Sequence, residues 1–243
     1  MPALRTRLAV GLVSLATIAL ELALMRSLSL RFWSHFAHMV IAVALLGFGA
    51  AGTAATLARS RLLRRPRAWL CGSVLGLALA VPLAVWTAGE VPLNVQFLAW
   101  DLRQLGLVLL LELVWLVPFF LSGLAVCVAL MDRPERVPGH YAANLAGAGA
   151  GAVAAVGLMY VLPNEWLFVA ASAAAFAGGA ALLPWPRWQA AAVALPVAAA
   201  LAALAPLAVR AGPVCEYKML AFVRQIEGVR QVARREGPLG RID

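Results

Sequence analysis

Two carboxylates interrupt long apolar stretches of the chain. Glu21 lies within Leu8–Ser27, and Glu112 lies within Leu105–Met131. A charge at the centre of a bilayer costs about 2.5–3.5 kcal/mol on insertion scales, so such residues usually face a bundle interior or a water-filled cavity. Glu21 could bind a cation that passes through the bundle, or it could pair with Arg26 five positions later. Glu112 has no basic residue three or four positions away and could be protonated.

Two further groups of polar residues lie at the starts of apolar stretches. Tyr141 and Asn144 are three positions apart, and we expect Asn144 to hydrogen-bond across to a neighbouring helix. His35 and His38 have the spacing of a metal pair, but no third ligand follows, which favours interfacial or hydrogen-bonded histidines. No catalytic residue and no metal ligand is therefore assigned. The candidate intramembrane polar residues are Glu21, Arg26, His35, Glu112, Tyr141 and Asn144.

Two glycine motifs imitate nucleotide-binding loops. Residues 47–52, Gly-Phe-Gly-Ala-Ala-Gly, fit GxGxxG, and residues 147–151 read Gly-Ala-Gly-Ala-Gly. A dinucleotide loop needs a strand before it and a soluble crevice around it, whereas both motifs lie inside apolar stretches. Close helix packing is the favoured interpretation, through Gly49 with Thr53 and through Gly147 with Gly151. We expect no cofactor in this chain.

The composition indicates a membrane protein. Of 243 residues, 63% are hydrophobic and 13% are charged, whereas a soluble domain is about 45–50% apolar and about 25% charged. Too few polar residues remain to cover a surface that faces water. The net charge of +9 could indicate nucleic-acid binding, but no basic face is interleaved with stacking aromatics. Positive cytoplasmic loops explain the charge better, and no nucleic-acid partner is expected.

The hydropathy pattern predicts an all-α, polytopic bundle of about seven transmembrane helices. A helix needs about 20 apolar residues to span the hydrocarbon core, and no strand-length alternation indicates a barrel. The segments are Leu8–Ser27, Phe36–Leu57, Trp69–Ala88, Leu105–Met131, Tyr141–Leu162, Trp166–Leu183 and Gln189–Val209. The last contains Pro196 and Pro206, which make it the weakest span, and Pro118 is expected to kink the fourth.

Charge asymmetry predicts the orientation. The segment Arg59–Arg67 carries five Arg, which places it, and with it the N-terminus, in the cytoplasm of a multi-pass inner-membrane protein. Seven spans would then put the tail outside, although the tail from Arg210 onward has seven basic residues. Either one segment does not cross, or the tail is a folded domain that escapes the charge rule.

Three stretches together resemble a known family. The first runs from Glu-Leu-Ala-Leu-Met-Arg at 21–26 through Phe-Trp-Ser-His-Phe-Ala at 32–37 to the glycine motif at 44–52. The second is Pro-Phe-Phe-Leu-Ser-Gly-Leu at 118–124 with Tyr-Ala-Ala-Asn-Leu-Ala-Gly at 141–147, and the third is the tail at 216–221 and 235–243. In this order they resemble the bacterial membrane-embedded spermidine synthase-like proteins.

The resemblance implies two parts, a transmembrane domain at 1–209 and a tail at 210–243 that is similar to the start of an aminopropyltransferase-type domain. In that family the tail leads through a small β unit into a soluble αβ domain that holds a nucleotide cofactor and an amine. Here no soluble glycine loop and no acidic cluster follows before Asp243, so we expect no aminopropyl transfer by this chain alone.

Three functions stay open from the sequence. The chain could tether or serve a soluble aminopropyltransferase-like partner domain at the membrane. It could be a transporter bundle for a cationic amine, or a structural anchor that self-associates through its small-residue faces. Besides the lipid bilayer, the expected partners are therefore that soluble domain or a second copy of the chain.

Overall fold

Eight α-helices make up nearly all of the described chain. The computed structural model describes residues 3–31, 35–94, 97–98, 100–183, 187–208, 235–237 and 240–242. The helices are α1 Ala3–Arg31, α2 His35–Leu57, α3 Arg59–Arg64, α4 Pro66–Glu90, α5 Leu102–Asp132, α6 Val137–Leu158, α7 Asn164–Leu182 and α8 Arg187–Ala208. All seven predicted segments are helical, which confirms the all-α polytopic class.

Local sequence explains where several helices begin. Asp101 caps α5, because its carboxylate accepts a hydrogen bond of 2.9 Å from the backbone N–H of Arg103. Pro66 and Pro138 occupy the first turns of α4 and α6, where a missing N–H is tolerated. As a result α6 begins at Val137, four residues before the predicted segment. The arginine-rich segment forms the short helix α3, which the sequence did not predict.

Six of the described helices are long and apolar enough to cross a membrane, namely α1, α2, α4, α5, α6 and α7. In α8 the apolar part is shorter, Ala191–Pro206. The outward faces of the bundle carry large apolar side chains, including Leu45, Leu113 and Val153. Such a surface suits lipid, because a soluble protein rarely exposes extended apolar patches.

The bundle is organised around α1, which packs against α6 and α7 along most of its length and also contacts α2 and α5. The remaining layers are α2 on α5, α4 on α5 and α7, and α8 on α4. Consecutive spans run in opposite directions, so α1, α4 and α6 are parallel to one another and antiparallel to α5 and α7.

Both glycine motifs pack helices together, as the sequence indicated. A Cβ built on Gly151 would lie 2.6 Å from the Leu15 carbonyl oxygen, and one on Gly147 would overlap the backbone of Gly11. In α2 the contact glycine is Gly47, whose Cβ would lie 2.7 Å from Phe119 Cβ. The predicted pair Gly49 and Thr53 was wrong, since both residues are exposed and face away from the other helices.

The described part of the tail contains one small hairpin. Strand β1, Arg235–Gly237, pairs antiparallel with β2, Gly240–Ile242. In this register Glu236 lies opposite Arg241. The rest of the tail lies outside the described residues.

Candidate functional site

Polar side chains meet where α1 crosses α5 and α6. The Ser14 hydroxyl lies 2.6 Å from the Asn144 side-chain oxygen, and the Thr17 hydroxyl lies 2.5 Å from that of Ser122. Ser14, Thr17 and Ser122 are buried, and Asn144 is partly buried. We call these four residues the polar seam. In hydrocarbon, buried polar groups are kept only where neighbouring helices satisfy them.

The single proton of each hydroxyl determines the direction of these bonds. Thr17 donates to the Val13 carbonyl at 2.7 Å, so Ser122 is the donor in the bond to Thr17. The Ser14 proton is shared between two acceptors, the Val10 carbonyl at 2.9 Å and Asn144 Oδ1. These bonds join α1 to α5 and to α6, and so fix how the three helices meet.

Removing Ser14 should cost more than removing its partner. Ser14→Ala leaves the Asn144 carbonyl oxygen without its donor, whereas after Asn144→Leu the Ser14 hydroxyl keeps Val10 as acceptor. A buried acceptor that loses its donor costs more free energy than a donor that keeps another acceptor. We therefore expect Ser14→Ala to lower the free energy of unfolding by about 1 kcal/mol more than Asn144→Leu. Reversible unfolding in mixed micelles measures both, and equal losses would contradict the shared-proton arrangement.

Glu21 continues the line of polar residues on α1. Ser14, Thr17 and Glu21 follow the spacing i, i+3, i+7 and so share one face of the helix. Because α1 and α5 are antiparallel and Thr17 meets Ser122, Glu21 lies at the level of Pro118, one turn from the seam. The carboxyl is partly buried, and in the described part of the chain it forms no hydrogen bond or ion pair. Glu21 thus places a carboxyl about one helical turn from the seam.

Proline adds an acceptor at the same level. Pro118 lies inside α5 and has no N–H to donate to the carbonyl four residues earlier, that of Val114. A carboxylate on α1 and a freed carbonyl on α5 thus occupy the same depth of the bundle. Both are groups that attract a cation.

The other predicted polar residues do not join the seam. Arg26 is buried on α1, nine residues beyond Thr17. Glu112 precedes Ser122 by ten positions on α5, which places it about 15 Å away along the axis. Tyr141 is exposed at the start of α6. The side chain of His35 lies outside the described residues.

The sequence analysis missed His140, which is only 1% exposed. Its Nδ1 lies 2.9 Å from the carbonyl oxygen of Ala129, in the last turn of α5, where helix carbonyls lack a partner. Nδ1–H therefore donates, and Nε2 carries a lone pair that has no hydrogen-bond partner in the described structure. The hydrogen bond to Ala129 ties α6 to α5.

A second cross-helix bond compensates for a proline. Pro82 lies inside α4 and leaves the carbonyl of Ala78 without its helical N–H. The hydroxyl of Ser172, buried on α7, donates to this carbonyl. A neighbouring helix thus satisfies the backbone group that the proline frees, as the apolar interior of a membrane requires.

If Ser172 serves the carbonyl that Pro82 frees, substitutions at these two residues should affect stability non-additively. We expect Ser172→Ala to lower the free energy of unfolding by about 1 kcal/mol, within the range of hydrogen bonds between membrane helices. In a Pro82→Ala background the Ala78 carbonyl regains its N–H, so the same substitution should cost about half as much. A double-mutant cycle on the purified protein measures the coupling, and additive effects would show that Ser172 does not serve this carbonyl.

Fold and site define a class, a multi-pass α-helical membrane protein with a polar seam inside the bundle. No protein-family profile, curated protein or solved structure matches this chain. Neither a family nor a relative therefore assigns it a role.

Proposed function

We propose that the chain is the membrane module of a spermidine synthase-like protein, which holds an aminopropyltransferase-type domain at the bilayer. One observation carries the proposal. The stretch 44–52 on α2 packs directly onto the stretch 118–124 on α5, and both bear the resemblance. Gly47 lies against Phe119, and a Cβ on Gly123 would lie 2.9 Å from Ala51 Cβ. Two stretches that are distant in the sequence and that both carry the resemblance thus build one contact.

The tail would connect this module to its partner. Six crossing helices bring the chain back to the arginine-rich end of the bundle, and the apolar part of α8 is shorter than the roughly 20 residues of a span. A tail at that end keeps its seven basic residues on the cytoplasmic side, in line with the charge rule. According to the resemblance, the tail leads into a small β unit. The paired strands Arg235–Gly237 and Gly240–Ile242 suit such a unit.

The test is capture of the soluble partner from its own host. The full chain carries an affinity tag and is purified from native membranes, and the captured proteins are assayed for aminopropyl transfer to a polyamine. We expect an αβ domain with this activity in the captured material, on the same or on a separate polypeptide, and no transfer by residues 1–243 alone. Recovery of the chain without such a partner, from membranes that also lack the activity, would contradict the proposal.

The line of polar residues on α1 favours a second function, passage of a cationic amine through the bundle. Glu21 supplies a carboxylate with no partner in the described chain, at the level of the carbonyl that Pro118 frees. In proteoliposomes that take up labelled polyamine, Glu21→Gln should reduce uptake by at least about tenfold, because a neutral amide no longer offsets the charge of the amine. The matched control is Glu90→Gln at the exposed end of α4. Equal uptake by both variants would exclude Glu21 as the binding group.

A further inference from the structure

The connection between α2 and α4 concentrates positive charge. Residues 59–67 contain five arginines, and no acidic residue occurs between Glu21 and Glu90. All five side chains are exposed, and in the described chain none has a hydrogen bond or an ion pair. We call this segment the arginine turn. Its five arginines are Arg59, Arg61, Arg64, Arg65 and Arg67.

The fold holds the arginine turn in one orientation. Leu62 of α3 is 3% exposed and belongs to the core of the bundle, where α3 contacts α5. At about 100° per residue, Arg64 lies roughly opposite Leu62 on this short helix and Arg61 lies at its side, and both are exposed. The backbone N–H of Arg65 bonds back to the Leu62 carbonyl at 3.3 Å, and Pro66 then begins α4.

The two flanking helices set the depth of the turn. α2 ends at Leu57, whose side chain is 82% exposed and apolar, two residues before the first arginine. α4 begins at Pro66 and carries the exposed Trp69 in its first turn, and Trp prefers the boundary between hydrocarbon and headgroups. Only eight residues separate the two helices, so a bilayer that α2 and α4 both cross would place the guanidinium groups at its headgroup layer.

We propose that the arginine turn binds the phosphodiester headgroups of anionic phospholipids. Guanidinium presents a planar fork that matches phosphate oxygens, and basic clusters beside a membrane helix attract anionic lipid. No carboxylate of the chain competes for these donors in the described structure. A soluble acidic partner would have to reach into the headgroup layer, whereas lipid phosphates already occupy it.

The test compares two lipids on the purified full chain. Delipidated protein in mild detergent receives dioleoylphosphatidylglycerol or dioleoylphosphatidylcholine, and native mass spectrometry counts the lipid that it retains. We expect about a tenfold preference for the anionic lipid, which falls as sodium chloride is raised. No preference, or a preference that salt leaves unchanged, would overturn the proposal.

Variants separate the turn from the general charge of that end of the molecule. Arg61→Gln with Arg64→Gln removes two charges from the turn and leaves three, which preserves the orientation signal. The control, Arg5→Gln with Arg133→Gln, removes two exposed charges from the same end outside the turn. We expect only the first pair to lose most of the preference. An equal loss of lipid preference in both pairs of variants would overturn the assignment to the turn. Release of the bound lipid by millimolar inorganic phosphate would also overturn it.

Discussion

Gly147→Leu should force α1 and α6 apart and strongly destabilise the bundle. At Gly147 the two helices approach until any Cβ would overlap the backbone of Gly11, so neither helix can yield by a side-chain movement alone. One turn later, Gly151 meets Leu15 in the same way, and the contact therefore extends along both helices. Overpacking a tight core commonly costs about 1–3 kcal/mol, and we expect at least about 3 kcal/mol here because backbone must move.

A glycine on the same helix offers a matched control. Gly149 is exposed, and a Cβ there would meet nothing within 4 Å. Gly149→Leu should fold and extract as the unmodified chain does, since its side chain enters lipid. Size-exclusion profiles and thermal midpoints of both variants in one detergent measure the difference. Two variants of equal stability would show that α1 and α6 do not meet through Gly147.

Phe119→Ala should produce the largest loss from a single side-chain truncation. Phe119 is fully buried on α5, lies against Gly47 and pairs with the ring of Phe48 at a centroid distance of 6.4 Å. Truncation leaves a cavity that the packed backbones of α2 and α5 cannot close. The usual cost of Phe→Ala in a core is about 3–5 kcal/mol, and we expect a loss in this range.

The control for Phe119 lies on the same helix. Leu113 is 60% exposed on the lipid-facing side of α5, so Leu113→Ala should change the free energy of unfolding by less than about 1 kcal/mol. Both variants are unfolded reversibly in mixed micelles, with the unmodified chain as reference. A loss at Phe119 no greater than at Leu113 would contradict the contact between α2 and α5.

Hydropathy predicted the class of fold well because length and apolar content decide membrane insertion. All seven segments are helices, and the motif at residues 147–151 packs against a neighbour as expected. The spacing of small and apolar residues along α2 could not show which face of this helix packs against its neighbours. Gly49 and Thr53 fit a small-residue pair as well as Gly47 and Ala51 do, yet only the latter pair lies against α5. The inward face of α2 is the one that leaves room for Phe119 of α5, a residue that lies about 70 positions further along the sequence.

The polar seam was predicted only in part. Asn144 bonds across to α1, as a polar side chain in an apolar helix should. Its partner Ser14, together with Thr17 and Glu21, forms a polar line at helical spacing that the sequence already contained. His140 was missed because the predicted segment begins one residue later, at Tyr141, whereas the helix begins at Val137 with Pro138 in its first turn. Neither the Ala129 carbonyl nor the Ala78 carbonyl could be found as an acceptor without the fold.

The side of the membrane that holds the C-terminus tests the central claim most directly. A reporter fused after Asp243 reads this side, and a cysteine at Ser60, exposed in the arginine turn, reads the side of that turn with an impermeant reagent. A membrane module that serves a cytoplasmic transferase requires the tail and the arginine turn on the same, cytoplasmic side. A tail on the opposite side would mean that α8 crosses, would separate the tail from the cytoplasmic cofactor and amine, and would contradict the proposed function.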